Sequence, residues 1–231
     1  ERKAEYASRS HIEGHRLRVD AARVRSRDRS GGRVLEALRD NGLEDNTLVF
    51  FTSDNGAPAY IGLPRVNEPF RGWKISFFEG GIHVPFLLKW PARIEGGRTY
   101  EPPVHGFDIF ATAAAAAGVE LPGDRVIDGV DLVPHALGEV ESPPHERLFW
   151  RTGGYQVVQA DGWKLQICNP PGKTWLFDLK SDPTEQRNLA AEEPERVAAL
   201  EKLLAEHNAE QVEPRWPSAV QSPINIDKTL L

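Results

Sequence analysis

The clearest chemical signal in the sequence is a carboxylate and an amide that directly follow an apolar run. The segment VFFTSDNGAP, residues 49–58, leads from β-prone side chains into Asp54, Asn55 and Gly56. Strand ends in α/β sheets usually hold ligands, because side chains there leave the core and meet in a crevice. Carboxylate and amide oxygens suit Ca²⁺ or Mg²⁺, and a glycine lets the backbone turn tightly beside the ion. Spacing alone is more typical of an ordinary turn whose side chains bond nearby amides.

A lysine follows in a loop bounded by aromatic residues and glycines. Lys74 stands in FRGWKISFFEGG, residues 70–81, and its ammonium group could hold an anionic oxygen. The alternative is a lysine whose aliphatic stem covers apolar surface. The EGG that follows is interpreted as structural, its two glycines allowing close approach of the backbone at the floor of a site. The sequence therefore offers Asp54 and Asn55 as metal ligands and Lys74 as an anion contact.

The first part of the chain has the pattern of an α/β layer structure. Apolar residues at helical spacing predict a helix over about 15–41. The continuous run at 49–52 is typical of a strand covered on both faces in a parallel sheet. VPFLLKWP, residues 84–91, predicts a second strand, and 107–119 predicts an alanine-rich helix that ends at Gly118. The order helix, strand, loop, strand, helix fits an α/β fold.

A second unit is predicted after a stretch rich in proline, glycine and acidic residues at 121–147. The predicted domains are 1–147, the α/β part, and 148–231, a small antiparallel unit. Four β-prone runs separated by turn residues predict a four-stranded meander: RLFWRT, YQVVQA, WKLQIC and TWLFDL. Apolar residues at helical spacing predict a helix over 194–208 that packs on this sheet. The tail 211–231 is expected to wrap over the surface.

Composition excludes several classes of protein. The 231 residues are 40% hydrophobic and 27% charged, which suits one large or two small globular domains. The net charge of −6 gives no general attraction to nucleic acid or anionic membranes, and no apolar run approaches the roughly 20 residues that cross a bilayer. Eight arginines between Arg9 and Arg33 lack interleaved aromatic residues, which favours a solvated helix face over a nucleic-acid patch.

Cysteine and methionine usage adds two expectations. A lone Cys168 excludes an intrachain disulfide and any multi-cysteine zinc site. The chain contains no methionine, so we expect a processed or truncated piece of a longer protein.

Two longer segments resemble the sulfatase family of the alkaline-phosphatase-like superfamily. They are DNTLVFFTSDNG, residues 45–56, and FRGWKISFFEGGIHVPFLLKWP, residues 70–91. Four further segments are similar to sulfatase segments and occur in the same order: FDIFATAAAAAGVELP, IDGVDLVPHALGE, DGWKLQI and LFDLKSDPTEQRNLA. The resemblance covers about 47–207. It implies the C-terminal part of an alkaline-phosphatase-like α/β sandwich, followed by a small four-stranded antiparallel sheet with one packed helix.

The resemblance also implies roles for the candidate residues. Asp54 and Asn55 match the pair that ligates Ca²⁺ beside the sulfate ester in the family. Lys74 matches the lysine that precedes EGG by five positions and contacts the sulfate group. The implied activity is Ca²⁺-dependent hydrolysis of a sulfate ester, with Mg²⁺ as the alternative cation. The implied substrate is a sulfated sugar or a small-molecule sulfate ester, and the implied location is outside the cytoplasm.

The sequence departs from the family at the nucleophile. The family uses a formylglycine made from a C/S-x-P-S/A-R motif, which does not occur in this chain, and the CNPPG that begins at Cys168 shares only C-x-P with it. The nucleophile and the remaining carboxylates are expected in a missing N-terminal half, so the chain alone is expected to be inactive. His11 and His15 lack the proline of the family's H-x-P loop. His83, where relatives commonly carry arginine, is interpreted as a hydrogen-bonded structural histidine.

Two other functions are compatible with the sequence. A phosphodiesterase or phosphonate monoester hydrolase of the same superfamily would hold its metal and anion at similar positions. A noncatalytic binding module or degenerate remnant fits the arginine-rich start and the missing half. Calcium affinity separates them, because half of a metal site binds weakly whereas a self-contained module binds its ligand tightly.

Overall fold

The structure, a computed structural model, describes residues 14–63, 65–169, 172–212 and 215–216. His11 and most of the predicted tail lie outside these residues. The chain divides into two compact units. The first unit consists of Glu1–Thr52, Tyr60–Leu63 and Pro85–Pro144, and the second unit of Ser53–Ala59, Pro64–Val84 and His145–Leu231. Two loops from the first half of the chain thus belong to the same unit as the C-terminal region.

Helices and strands are numbered in chain order. The helices are α1 His15–Asp40, α2 Glu79–Ile82, α3 Asp108–Ala116, α4 Val133–Leu137 and α5 Pro194–Ala209, with a 3₁₀ turn at Ala59–Ile61. The strands are β1 Val49–Thr52, β2 Phe86–Lys89, β3 Arg147–Thr152, β4 Tyr155–Ala160, β5 Trp163–Cys168 and β6 Lys173–Asp178. None of the described helices combines the length and the apolar character needed to cross a membrane.

The predicted long helices are confirmed. The prediction at 15–41 corresponds to α1, the prediction at 107–119 to α3, and the prediction at 194–208 to α5. Gly118 follows α3 with φ +68°, a left-handed conformation that glycine adopts without a steric cost. The spacing of apolar residues and the glycine stop signal were therefore sufficient to predict the positions of these helices.

The predicted parallel pairing of β1 is wrong in the described part of the chain. β1 pairs with β2 in antiparallel register, with Phe51 opposite Leu87. These two side chains are 56% and 57% exposed, so β1 is not covered on both faces in this chain. A run of apolar residues indicates that a strand can be buried, but it carries no information about the direction of its neighbour.

The predicted four-stranded meander is confirmed, and both of its faces are covered. The strand order is β3-β4-β5-β6, all antiparallel. On one face α5 packs Leu200 and Leu204 against Val158, Leu165 and Leu176. On the other face Phe78, which immediately precedes α2, packs among aromatic and aliphatic side chains of the sheet: Tyr155, Val157, Cys168, Trp175 and Phe177. The second unit therefore joins α2 and its neighbouring loops to the C-terminal sheet.

Candidate functional site

Asp54 and Asn55 lie in the loop that follows β1. The side chain of Asp54 is exposed and that of Asn55 is half-buried. Asn55 Nδ2 donates a 2.9 Å hydrogen bond to the carbonyl of Gly56, and Ser53 Oγ donates a 3.1 Å bond to the carbonyl of Asn55. The first of these bonds uses the amide nitrogen of Asn55. The amide oxygen, which is the atom that could bind a cation, is not needed for it.

Lys74 lies in a second loop that is hydrogen-bonded to the first. Its main-chain N–H donates to the carbonyl of Ala57 at 3.3 Å, three residues after Asp54, and its side chain is exposed. Asn67 ties the two loops further. Its Oδ1 accepts from the Ala57 N–H at 2.8 Å, and its Nδ2 donates to the carbonyls of Ala57 at 2.9 Å and Gly72 at 3.3 Å. The structure therefore brings together the loops that carry all three predicted site residues.

Asn67 joins the two loops of the candidate site, and the sequence did not reveal this role. Its bonds to Ala57 join positions ten residues apart in the chain, and no periodic sequence pattern relates the two positions. An asparagine followed by Glu68 and Pro69 reads only as a turn residue. Its role in joining the loops becomes visible only in three dimensions.

Glycines form the floor beneath both loops. The Gly56 N–H donates to the carbonyl of Gly81 at 2.8 Å, and a Cβ at Gly56 would overlap the carbonyl oxygen of Gly80. A Cβ at Gly80 would lie 2.6 Å from the carbonyl oxygen of Arg71, and a Cβ at Gly81 would overlap that of Ser76. The predicted close backbone approach at the two glycines of EGG is therefore confirmed.

A buried network of charges lies on the sheet side of this floor. Lys164 Nζ lies 2.6 Å from Glu79 Oε1 and 3.0 Å from Glu185 Oε1, and the side chains of Lys164 and Glu185 are fully buried. The Glu79 N–H donates to Glu185 Oε2 at 2.6 Å. Gln166 Nε2 donates to Glu185 Oε1 at 2.9 Å, and His83 Nδ1 lies 2.7 Å from Glu79 Oε2. Each carboxylate is thus met by several donors, as a buried charge requires.

The network shifts the pKa values of its members in different directions. Burial alone would raise the pKa of Glu79, but the charge of Lys164 and the hydrogen bonds from His83 and Lys164 lower it to about 2. Burial raises the pKa of Glu185, and the neighbouring charge of Glu79 adds to that effect. The hydrogen bond to Glu79 raises the pKa of His83. At neutral pH, Glu79 is therefore ionised, and both Lys164 and His83 are bound to it.

His15, His83 and Cys168, whose roles were interpreted from the sequence, have different surroundings in the structure. His83 bonds to Glu79 and its ring stacks on Phe70 at 4.4 Å between centroids, so its interpretation as a hydrogen-bonded residue is confirmed. His15 is exposed at the start of α1, in the first unit. Cys168 is buried at the end of β5, and burial raises the pKa of its thiol. A raised pKa disfavours the thiolate, which is the nucleophilic form.

The donor set in the loop after β1 fits part of a site for a hard cation. Asp54 and Asn55 supply a carboxylate and an amide oxygen, the ligand types that Ca²⁺ takes from proteins. In the part of the chain that the structure describes, no three or more His, Cys, Asp and Glu side chains form a metal-binding group. Because Ca²⁺ takes about six to eight oxygens, these two residues would need further ligands.

A known protein family matches the part of the chain that contains both loops. The model of the family described as Sulfatase matches residues 2–119, which include Asp54, Asn55 and Lys74. The chain belongs to the sulfatase family. This family member is 37% identical over 218 residues to steryl-sulfatase of Mus musculus, a match that covers 78% of this chain and 35% of the relative. It is 41% identical to N-acetylgalactosamine-6-sulfatase of Sus scrofa, over 92% of this chain and 47% of the relative.

Solved structures place this sulfatase family member in the alkaline-phosphatase-like fold. Ps i-CgsB, solved in complex with k-i-k-neocarrahexaose, matches with a TM-score of 0.81 and 26% identity, over 94% of this chain and 48% of that structure. The phosphonate monoester hydrolase of Agrobacterium radiobacter matches with a TM-score of 0.64 and 25% identity, over 86% of this chain and 42% of that structure. The chain therefore spans less than half the length of these four proteins.

Proposed function

We propose that this chain supplies one side of the active site of a Ca²⁺-dependent sulfatase that hydrolyses a sulfate ester. Asp54 and Asn55 would bind the cation, and Lys74 would contact the sulfate group. The observation that carries the proposal is the main-chain and Asn67 bonding between the two loops, one of which carries Asp54 and Asn55 and the other Lys74. The family match covers the same residues.

The chemistry follows from charge. Negative charge develops on the oxygens as the sulfate ester is cleaved, and groups already fixed around those oxygens stabilise it without reorganisation. A bound Ca²⁺ would supply Lewis-acid polarisation of a sulfate oxygen. Lys74 would bind and orient the sulfate group through its ammonium donors. Asp54 and Asn55 would fix the position of the cation relative to that lysine.

We further propose that the chain alone is inactive. Its sequence contains no C/S-x-P-S/A-R motif, and Cys168 is a buried thiol in the C-terminal sheet. Sulfated sugars are the substrate class that we propose, because the relative named N-acetylgalactosamine-6-sulfatase is 41% identical over 92% of this chain. A location outside the cytoplasm follows from the family resemblance alone.

Calcium titration tests the metal assignment directly. The wild-type chain is expected to bind Ca²⁺ weakly in isothermal titration, and Asp54→Ala is expected to abolish the binding. The matched control is Asp161→Ala, because Asp161 is also exposed but lies in the turn between β4 and β5. Equal binding by wild type and Asp54→Ala would refute the assignment. Tight binding by the chain alone would instead support the noncatalytic module.

A phosphonate monoester hydrolase is the second candidate, favoured by the match to the Agrobacterium radiobacter enzyme. Both reactions place an anion of similar size beside a metal. Assays of the complete protein that contains this chain, with an aryl sulfate and an aryl phosphonate in parallel, separate the two. Preferential turnover of the phosphonate would replace the sulfatase proposal.

A further inference from the structure

The short helix α2 touches both loops of the candidate site. On one side the carbonyl of Gly81 accepts from the Gly56 N–H at 2.8 Å, which holds the loop of Asp54 and Asn55. On another side the Gly80 N–H donates to the carbonyl of Arg71 at 2.6 Å, which holds the loop of Lys74. The position of α2 therefore sets the positions of both loops.

The C-terminal sheet in turn holds α2. Lys164 on β5 binds the side chain of Glu79, the first residue of α2. Glu185, in the segment after β6, accepts from the main-chain N–H of Glu79 and binds Lys164. The Phe77 N–H, just before α2, donates to the hydroxyl of Tyr155 on β4 at 2.9 Å. Two consecutive strands and the segment after the sheet thus fix one end of α2.

Glu185 has a second link to the Lys74 loop. Arg71, three residues before Lys74 in the chain, donates from Nη1 to the main-chain carbonyl of Glu185 at 2.9 Å. Glu185 has φ +60°, a left-handed conformation that is costly for a residue with a side chain. The structure keeps this conformation at a position where the side chain meets α2 and the carbonyl meets Arg71.

We propose that Lys164 and Glu185 are positioning residues for the site, and that they act through Glu79 and α2 on the loops of Asp54, Asn55 and Lys74. The small C-terminal sheet is then part of how the site is built. This proposal rests on the proposed function only for the roles of Asp54, Asn55 and Lys74. The link from the C-terminal sheet through α2 to the two loops rests on the observed contacts. Neither Lys164 nor Glu185 is assigned a contact with substrate.

Amide hydrogen exchange, followed by NMR on the complete chain, tests the proposal. The reporters are the main-chain N–H groups of Gly56, Lys74 and Gly80, each of which makes a hydrogen bond that depends on α2 or on the loop contact. In Lys164→Met, which removes the charge that binds Glu79, we expect exchange at these amides to be at least tenfold faster. Lys164→Arg, which keeps the charge and the donors, is expected to restore most of the protection.

The matched control is Leu204→Ala. Leu204 is 4% exposed and packs on the opposite face of the sheet, so its truncation destabilises the same unit without touching α2. At a temperature where both variants are folded, Leu204→Ala is expected to leave the three amides protected. If Lys164→Met does not fold, Glu185→Gln decides, because the neutral side chain keeps the volume but cannot accept at both of its terminal atoms. Protection in the deciding variant as high as in Leu204→Ala would overturn the proposal.

Calcium binding separates this proposal from the proposed function. Faster exchange in Lys164→Met together with no Ca²⁺ binding by wild type would support the positioning role and refute the metal assignment. Ca²⁺ binding that requires Asp54, together with unchanged exchange in Lys164→Met and Glu185→Gln, would do the reverse.

Discussion

The main-chain N–H of Gly56 lies 2.8 Å from the carbonyl oxygen of Gly81, so the loop that follows β1 rests directly on α2. Both partners are glycines, and at each of them a side chain would meet main-chain atoms. Backbone contacts of this kind cannot be relieved by moving a flexible side chain.

Gly56→Ala is expected to destabilise the second unit and to weaken Ca²⁺ binding. The added methyl overlaps the Gly80 carbonyl, and overpacking of this kind costs about 1–3 kcal/mol. Urea unfolding measures the stability and isothermal titration measures the affinity. The control is Gly96→Ala, because a Cβ at Gly96 meets no atom within 4 Å. Equal unfolding midpoints for the two variants would contradict the packing argument.

Lys74→Ala is expected to reduce turnover without loss of stability. Its side chain is exposed and its bond to Ala57 uses the main chain, so we expect the free energy of unfolding to change by less than about 0.5 kcal/mol. If the ammonium stabilises the transition state, kcat of the complete protein should fall roughly 10²–10³-fold. The control is Lys202→Ala, an exposed lysine on α5. Turnover close to wild type would remove Lys74 from the site.

Stability should depend on pH through His83. The bond to Glu79 raises the pKa of His83 above its usual value of 6.5, so the folded state favours the protonated ring. The contribution is fully present below pH 6.5 and is lost as the pH rises through the raised pKa of the folded state. The difference in unfolding free energy between wild type and His83→Gln should therefore shrink as the pH rises from the acidic to the alkaline side of neutrality. Thermal or urea unfolding across that interval measures it.

His83→Arg is the informative companion to that measurement. An arginine stays charged throughout, so its ion pair with Glu79 should not weaken at alkaline pH. We expect this variant to lose the pH dependence that the wild type shows. A difference between wild type and His83→Gln that is constant with pH would show that the ring acts only by packing on Phe70.

Phe78→Ala is expected to lower the free energy of unfolding by about 3–5 kcal/mol, as for other fully buried aromatic side chains. Phe78 is 0% exposed and its ring lies 5.3 Å from that of Trp175 and 6.0 Å from that of Phe177. Chemical denaturation measures the loss. The control is Phe110→Ala, because Phe110 is 55% exposed on α3. Similar losses for the two variants would mean that Phe78 does not anchor α2 to the sheet.

Local sequence signals were sufficient for the long helices and the strands, but they did not predict the short helices α2 and α4. The helices α1, α3 and α5 and the four strands of the meander follow from periodicity and from their turn residues. The antiparallel pairing of β1 with β2 could not be predicted, because an apolar run looks the same in a parallel and in an antiparallel pair. The assignment of Asp54 and Asn55 to a metal and of Lys74 to an anion stays a prediction.

The charge network could not be read from the sequence. Lys164 and Gln166 alternate with apolar residues on β5, which in a meander usually marks a face in contact with water. Here that face is covered by the segment around Phe78, and the partners Glu79 and Lys164 are 85 residues apart in the chain. Pairing over such a distance leaves no trace in local spacing.

The covering of the meander on both faces limits how the protein can be shortened. The ring of Phe78 packs on side chains of β4, β5 and β6, and the carboxylate of Glu79 binds Lys164 on β5. A version trimmed at Pro144 would leave an aromatic ring and an acid facing solvent beneath the two loops. A shortened version of the protein should therefore retain the C-terminal segment that contains β3–β6, although this segment is distant in sequence from the two loops.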